Sequence, residues 1–167
     1  SKADDVSFIN SIIEKLKEYK NLDMNKLYAI GTSNGSGMVN KLGIHTSHFK
    51  AIAPVVSQLM ESMPILDNTK PLSVYQFNGA ADTTIPINGG PRFGHIFLNA
   101  LKSAELWATK FECSLPANVK TIGEDSGNDW LNFSKTLSHT FKDPIKSAKI
   151  KLYGQDRTPE MTSKELR

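Results

Sequence analysis

Apolar positions near the amino end of the chain predict a helix, a strand and a second helix in succession. Asp4 and Asp5 are good N-cap residues, and a helix to about Lys20 is predicted because apolar side chains then recur at helical spacing: Val6, Ile9, Ile12, Ile13 and Leu16. Residues 26–30 form a short apolar run that ends at Gly31, which favours a buried strand. Helical spacing then returns at Met38, Val39 and Leu42.

Three further apolar runs predict strands. Residues 49–56 and 72–77 are apolar along most of their length, whereas residues 148–153 alternate with lysine, which favours an edge or half-exposed strand. Between them, apolar positions over residues 93–111 predict a helix with Trp107 at its border. Apolar strands separated by helices indicate an α/β fold, and we expect a three-layer α/β/α sandwich with a mostly parallel sheet.

The remaining stretches carry less pattern. Residues 57–70 are predicted to form a loop with a turn of helix, and residues 113–147 are rich in Asn, Ser, Lys and Gly. A hairpin over residues 130–141 is one interpretation of that stretch. The segment 154–167 is a polar tail with little periodicity, a composition compatible with disorder.

Composition and charge narrow the function classes. The net charge of +3 comes from lysines scattered along the chain, which argues against a nucleic-acid surface. No apolar run approaches the roughly 18 residues of a membrane span. Cys113 is the single cysteine, which excludes an internal disulfide and favours a buried structural thiol. We expect no metal and no cofactor. The amino end lacks signal-peptide character and a methionine, so we expect a processed or excised piece.

The most informative motif is Gly31-x-Ser33-x-Gly35, which lies between the predicted first strand and the second helix. This is the spacing of a nucleophile elbow, a sharp strand-to-helix turn that presents a serine hydroxyl above the sheet. We expect both glycines to be required sterically, because a Cβ at either position would clash with neighbouring backbone. The flanking elements make Ser33 a candidate nucleophile.

A serine nucleophile needs a general base and an acid that orients the base. Asp82 follows the strand at 72–77 in a small-residue loop and is the candidate acid, although an ordinary turn aspartate would have the same surroundings. The backbone N–H of Asn34, the residue after the serine, is the candidate oxyanion-hole donor. A second donor normally follows an earlier strand, and no strand precedes the helix at Asp5.

The base is harder to assign, because none of the four histidines follows the last predicted strand. His45 and His48 follow the elbow helix, and His95 lies at the start of the helix predicted over 93–111. A structural or solvent-exposed role is the expectation for each histidine. His139 is a weak candidate, since among histidines after Asp82 it alone lies outside a helix start.

Several motifs in order resemble the polyhydroxybutyrate depolymerase and feruloyl esterase-like group of α/β hydrolases. The similarity covers about residues 4–113, with 150–153 resembling the final strand, and rests on Asp4-Asp5-Val6-x-Phe8-Ile9, Gly31-Thr32-Ser33-Asn34-Gly35, Phe49-x-Ala51-Ile52-Ala53-Pro54-Val55, Asn78-Gly79-Ala80-Ala81-Asp82-Thr83-Thr84-Ile85-Pro86, Asn88-Gly89-Gly90, Trp107 and Cys113. The resemblance implies that residues 1–153 form a partial α/β-hydrolase domain without its amino-terminal strands. It also implies that Ser33 is the nucleophile and Asp82 the acid.

The resemblance implies a secreted or periplasmic serine carboxylic ester hydrolase that forms an acyl-enzyme on Ser33. Its substrate would be a small-molecule or polymeric ester, with no nucleic-acid or membrane partner. Asn78 stands where the family usually has histidine. The family's histidine-bearing segment after the last strand is replaced by residues 154–159, and this missing histidine supports an alternative, a non-catalytic or truncated relative.

Overall fold

The computed structural model describes residues 4–80, 82–121, 133–141 and 150–157, the side chains of residues 118–121, 133–141 and 150–157 excepted. Over these residues the helices are α1 (Asp5–Leu16), α2 (Asn34–His45) and α3 (Ala100–Lys110). The strands are β1 (Leu27–Thr32), β2 (Phe49–Val55), β3 (Ser73–Gly79), β4 (Gly90–Arg92), β5 (His95–Phe97), β6 (Asn118–Thr121), β7 (Phe133–Phe141) and β8 (Ile150–Arg157). Within this part of the chain, no helix is long and apolar enough to cross a membrane.

A six-stranded sheet with the order β1-β2-β3-β8-β7-β6 forms the centre of the fold. Strands β1, β2 and β3 are parallel, β8 continues parallel to β3, and β7 and β6 follow antiparallel. Thr32 pairs with Val55, which pairs with Phe77, so the first three strands end together. The predicted α/β character is confirmed. The loops that begin with Ser33 and lead to Asp82 leave this common carboxyl edge.

Helices α2 and α3 pack on the same face of the sheet. A Cβ added to Gly43 of α2 would come within 2.9 Å of Ile52 Cδ1 and 3.5 Å of the Trp107 ring of α3. On the opposite face, Tyr28 and Ile30 are 65% and 76% exposed. The described residues thus form a sheet with one helical layer. The second helical layer of the three-layer sandwich stays a prediction.

Trp107 lies at the centre of the core, so its placement at the border of a helix was wrong. The side chain is fully buried and its ring packs 5.7 Å from that of Phe111. It reaches this position because Gly43 of α2 offers no side chain between the two helices. Cys113 is buried in the same cluster, as expected for a structural thiol.

The first helix starts as predicted and ends early. The Asp4 side chain accepts a hydrogen bond from Ser7 N at 3.1 Å, which is the N-cap contact. The helix ends at Leu16 instead of Lys20, because the next backbone bonds join residues three apart, with Tyr19 N donating to Leu16 O at 3.1 Å. Tyr19 is 55% exposed, so no buried face supports a further turn.

The helix predicted from residue 93 begins only at Ala100. Residues 90–97 form the antiparallel hairpin β4–β5, with Arg92 paired to His95, and Asn99 caps α3 by accepting from Leu101 N at 2.9 Å. The positive φ angles of Phe93 and Gly94 make the reversal. His95 therefore lies on a strand and not at a helix start.

The carboxyl-terminal strand also differs from its prediction. β8 lies between β3 and β7 and is an interior strand, because both of its edges are hydrogen-bonded. It continues to Arg157, beyond the boundary predicted at residue 153, and residues 158–167 of the predicted tail lie outside the described residues. Of the hairpin considered over 130–141, residues 133–141 form the single strand β7, which pairs with β6 and β8, and residues 130–132 lie outside the described residues.

Candidate active site

Ser33 occupies the turn between β1 and α2 with an unusual backbone. Its φ of 56° and ψ of −117° lie in a region that residues with a side chain rarely adopt. Its N–H donates to Val55 O at 2.9 Å, which fixes the turn to the end of β2. The side chain is exposed at the carboxyl edge of the sheet. The strand–turn–helix context that the motif requires is therefore present.

The two glycines of the motif have different roles. A Cβ on Gly31 would overlap the backbone carbonyl of Gly35, so the strand and the helix meet where only glycine fits. A Cβ on Gly35 would have nothing within 4 Å. The steric prediction is confirmed for Gly31 and wrong for Gly35, because Gly35 presents its carbonyl to the strand and its Cα hydrogens to open space.

The elbow is joined to the end of β2 by a second set of contacts. The buried Ser36 hydroxyl donates to Ser57 O at 2.7 Å. Between these elements Val56 has a φ of 55°, a genuine outlier for a β-branched residue, and its N–H donates to Phe77 O at 2.7 Å. The strained residue turns the chain at the end of β2, and this turn brings the Ser57 carbonyl to the elbow helix.

Asp82 is half-buried in the loop after β3. Its Oδ1 accepts hydrogen bonds from Thr84 N at 2.8 Å and Ile85 N at 3.0 Å, and its own N–H donates to Gly79 O at 3.3 Å. These are the contacts of a turn aspartate. Both of these side-chain bonds use Oδ1, so the turn holds the carboxylate in one orientation without using Oδ2.

A buried network of amides and hydroxyls supports this loop. Asn78 Nδ2 donates to Gln58 Oε1 at 2.8 Å, and Gln76 Nε2 donates to Asn78 Oδ1 at 2.8 Å. Gln58 Nε2 donates to Pro86 O at 3.0 Å and to Leu98 O at 2.8 Å, while Ser103 Oγ donates to Gln76 Oε1 at 2.8 Å. The network joins β3, α3, the Asp82 loop and the end of the hairpin. Asn78 thus has a defined structural place in the network.

Ser33 opens onto a cavity of about 280 Å³. Its walls come from the elbow, the segment after β2, the Asp82 loop and the β4–β5 hairpin: Ser33, Asn34, Gly37, Ser57, Met60, Ile85, Phe93, His95 and Phe97. Asn34 is the first residue of α2, so its N–H is one of the donors that a helix start leaves unpaired inside the helix. The cavity thus joins a serine hydroxyl, a helix N-terminus, aromatic side chains and an imidazole.

The structure separates the four histidines. His45 ends α2 and, with His48, lines another cavity of about 360 Å³ at the far end of that helix from Ser33. His139 lies on β7, where it pairs with Leu152 of β8, and β7 is the fourth strand from β1 in the sheet. His95 is the histidine that lines the Ser33 cavity. The sequence analysis missed it, and Gly94, a residue type that favours turns, is the local signal that could have shown the hairpin.

No metal centre is seen among the described residues, since none of their His, Cys, Asp and Glu side chains form a group of three that could hold an ion. The polar groups that the described residues bring to this part of the molecule are the Ser33 hydroxyl, the Asn34 N–H, the Asp82 carboxylate and the His95 imidazole.

Comparison with known proteins gives two similar sequences. The chain is 31% identical over 86 residues to the putative esterase NocK of Nocardia uniformis subsp. tsuyamanensis, covering 51% of this chain and 25% of that protein. It is 32% identical over 94 residues to feruloyl esterase B of Piromyces equi, covering 53% of this chain and 17% of that protein. No protein-family model and no solved structure matches. Over about half its length, the chain is thus similar to two proteins that are named as esterases and are several times longer than the matched part.

Proposed function

We propose that this chain carries the catalytic centre of a serine carboxylic ester hydrolase. The observation that carries the proposal is the backbone of Ser33, which is held at φ 56° between a parallel strand and a helix, with its side chain facing a cavity of about 280 Å³. Strained non-glycine residues persist where the surrounding structure enforces them, and such sites are often functional. The esterase names of both relatives support the same reaction class.

In the proposed reaction, the Ser33 oxygen attacks the ester carbonyl carbon after losing its proton to a base. The negative charge that forms on the carbonyl oxygen is stabilised by the Asn34 N–H at the start of α2, where the helix dipole adds to the effect. The alcohol then leaves, and water hydrolyses the acyl-enzyme. Asp82 orients and stabilises the protonated base through the carboxylate oxygen that its turn leaves available.

The finer assignment is a polyhydroxybutyrate depolymerase or feruloyl esterase-like enzyme that is secreted or periplasmic and acts on small-molecule or polymeric esters. The printed name of the Piromyces relative supports the feruloyl side of this group. The aromatic side chains of Phe93 and Phe97 in the cavity wall suit an apolar group on either side of the ester bond.

Hydrolysis of a short-chain nitrophenyl ester tests the proposal. The wild-type chain should release nitrophenol above the rate of buffer, and Ser33→Ala should abolish the release. Ser47→Ala is the matched control, because this exposed serine lies beyond the far end of α2 and its loss should change nothing. Equal release by wild type and Ser33→Ala, with both proteins folded, would contradict the proposal.

The second candidate is a non-catalytic relative that keeps the fold and binds without turnover. The observation that favours it is the composition of residues 154–159, which carry no histidine where the related esterases are expected to have one. A folded wild-type chain that shows no turnover, yet retains a sharp thermal transition, would favour this candidate over the first.

A further inference from the structure

We propose that His95 is the general base for Ser33, an inference that rests on the ester hydrolase proposed above. The sequence pattern placed His95 at the start of a helix, and no relative assigns it a role. In the structure it stands on β5 in the wall of the cavity onto which Ser33 opens. The strand β5 follows the Asp82 loop in the chain, so the serine, the acid and this histidine occur in the order Ser33, Asp82, His95.

The positions of the other histidines place them away from this cavity, and His48 lines the separate cavity beyond the far end of α2. His45 lies at the end of α2, and eleven residues of helix at about 1.5 Å each put it roughly 16 Å from the elbow. His139 lies on β7, and the four strand spacings from β1 at about 4.8 Å each amount to roughly 19 Å. A general base must come within hydrogen-bond reach of the proton it removes. Among the histidine side chains that the structure describes, His95 is the one that lines the cavity onto which Ser33 opens.

The hairpin that carries His95 has a strained turn. Its two-residue turn has positive φ angles at Phe93, 51°, and at Gly94, 76°. Such a turn favours Asn-Gly or Gly-Gly, and a bulky aromatic residue in the left-handed region is an outlier. Phe93 also lines the cavity and is 71% exposed, so burial does not explain its presence. The strain points to a function for the turn, which aims Phe93 and His95 at the same cavity.

The second strand of the hairpin is fixed to the rest of the site. Glu61 N donates to Ile96 O at 2.9 Å, and Leu98 N donates to Leu59 O at 2.9 Å. His95 and Phe97 are two residues apart and share one face of β5, with Phe97 buried, while Ile96 between them is 49% exposed. Phe97 therefore anchors the strand face from which the imidazole projects.

Asp82 is linked to this cavity by Ile85, which lines it and whose N–H donates to Asp82 Oδ1 at 3.0 Å. In the proposed step, the His95 imidazole takes the Ser33 hydroxyl proton as the serine oxygen bonds to the ester carbonyl carbon. The imidazolium returns that proton to the alkoxide oxygen as the carbon–oxygen bond to the alcohol breaks. Water then attacks the acyl carbon and gives a proton to His95, which passes it to Ser33 as the carboxylic acid leaves.

The test measures the rate at which an activated phosphonate labels Ser33 in His95→Ala and His95→Gln. We expect both variants to react about 100-fold or more slowly than wild type, in line with the usual contribution of a general base. Added imidazole should restore labelling in His95→Ala, where the removed side chain leaves room, and not in His95→Gln. His45→Ala and His139→Ala should label at the wild-type rate. Ser33→Ala in imidazole controls for direct reaction of the reagent.

The outcomes are distinguishable. If His95→Ala is labelled at the wild-type rate, the inference is overturned and the esterase proposal stands. Slow labelling of His95→Ala together with fast labelling of His95→Gln also overturns the inference, because a polar contact without a basic group would then be enough for the reaction of Ser33. No labelling of the folded wild-type chain overturns the esterase proposal together with this inference. Because His95 is exposed, unchanged thermal transitions should show that both variants fold.

Discussion

The elbow geometry makes a sharp prediction for two alanine substitutions that look equivalent in the sequence. Gly31→Ala and Gly35→Ala each add one methyl group to the same five-residue motif. At Gly31 the new Cβ would overlap the Gly35 carbonyl and lie 3.0 Å from Ser36 N. These are backbone atoms, so the strand and the helix must move apart. At Gly35 the new Cβ would enter open space.

The magnitudes follow from this difference. Overpacking costs about 1–3 kcal/mol, and a clash with backbone belongs at the upper end, so Gly31→Ala should lose about 3 kcal/mol. For a domain of this size that corresponds to a fall in Tm of roughly 6–12 °C. Gly35→Ala lies in the first turn of α2 and should gain about 0.4–1 kcal/mol, since alanine restricts the unfolded chain.

Thermal unfolding followed by circular dichroism measures both changes under one set of conditions. Nitrophenyl ester turnover of the same samples reports on Ser33, and we expect Gly35→Ala to retain it and Gly31→Ala to lose most of it. Two results would refute the reasoning. One is a Gly31→Ala protein as stable as wild type, and the other is an equal loss in both variants, since either would mean that strand and helix do not meet as described.

Three further substitutions test other parts of the molecule. Gln58→Leu removes the acceptor of Asn78 Nδ2 and the donors to two carbonyls, and should cost about 2–5 kcal/mol in urea unfolding, whereas a neutral result would contradict the buried network. Asp82→Asn keeps an acceptor oxygen for its turn and should lower turnover by roughly 10⁴-fold with little change in Tm, so unaltered turnover would remove Asp82 from the mechanism. The hydrogen bonds from Ser7 lower the pKa of Asp4, so this contribution is present above the ordinary value of 3.8 and is lost as pH falls through the folded-state pKa. Asp4→Ala should therefore lower Tm at neutral pH and match wild type in strong acid, and a constant difference across pH would contradict the capping role.

Local sequence patterns were sufficient to predict the elements at the carboxyl edge of the sheet. The run before Gly31, the helical spacing after Ser33 and the small-residue loop at Asp82 each depend on a few neighbouring residues, and the structure has the strand, helix and loop in those places. Parallel strands then bring these loops to one edge without further information.

The parts of the fold and of the candidate site that the sequence did not predict depend on contacts between residues that are distant in the chain. Phe93 and Phe97 fit a helical spacing with Ala100, so a three-residue strand pair gave no periodicity of its own. Amide side chains are usually exposed, and the burial of Gln58 and Gln76 follows only from partners that tertiary structure supplies. The position of His95 in the wall of the Ser33 cavity is of the same kind, since it depends on the hairpin and on the loop to which that hairpin is fixed.

Mass spectrometry of the chain after treatment with an activated phosphonate tests the central claim most directly. The account predicts a single adduct on the peptide that contains Ser33, absent from Ser33→Ala and present in Ser36→Ala if that variant folds, because Ser36 is buried and only braces the elbow. A folded wild-type chain without an adduct, or with its adduct on a different serine, would contradict the claim that Ser33 is a nucleophile.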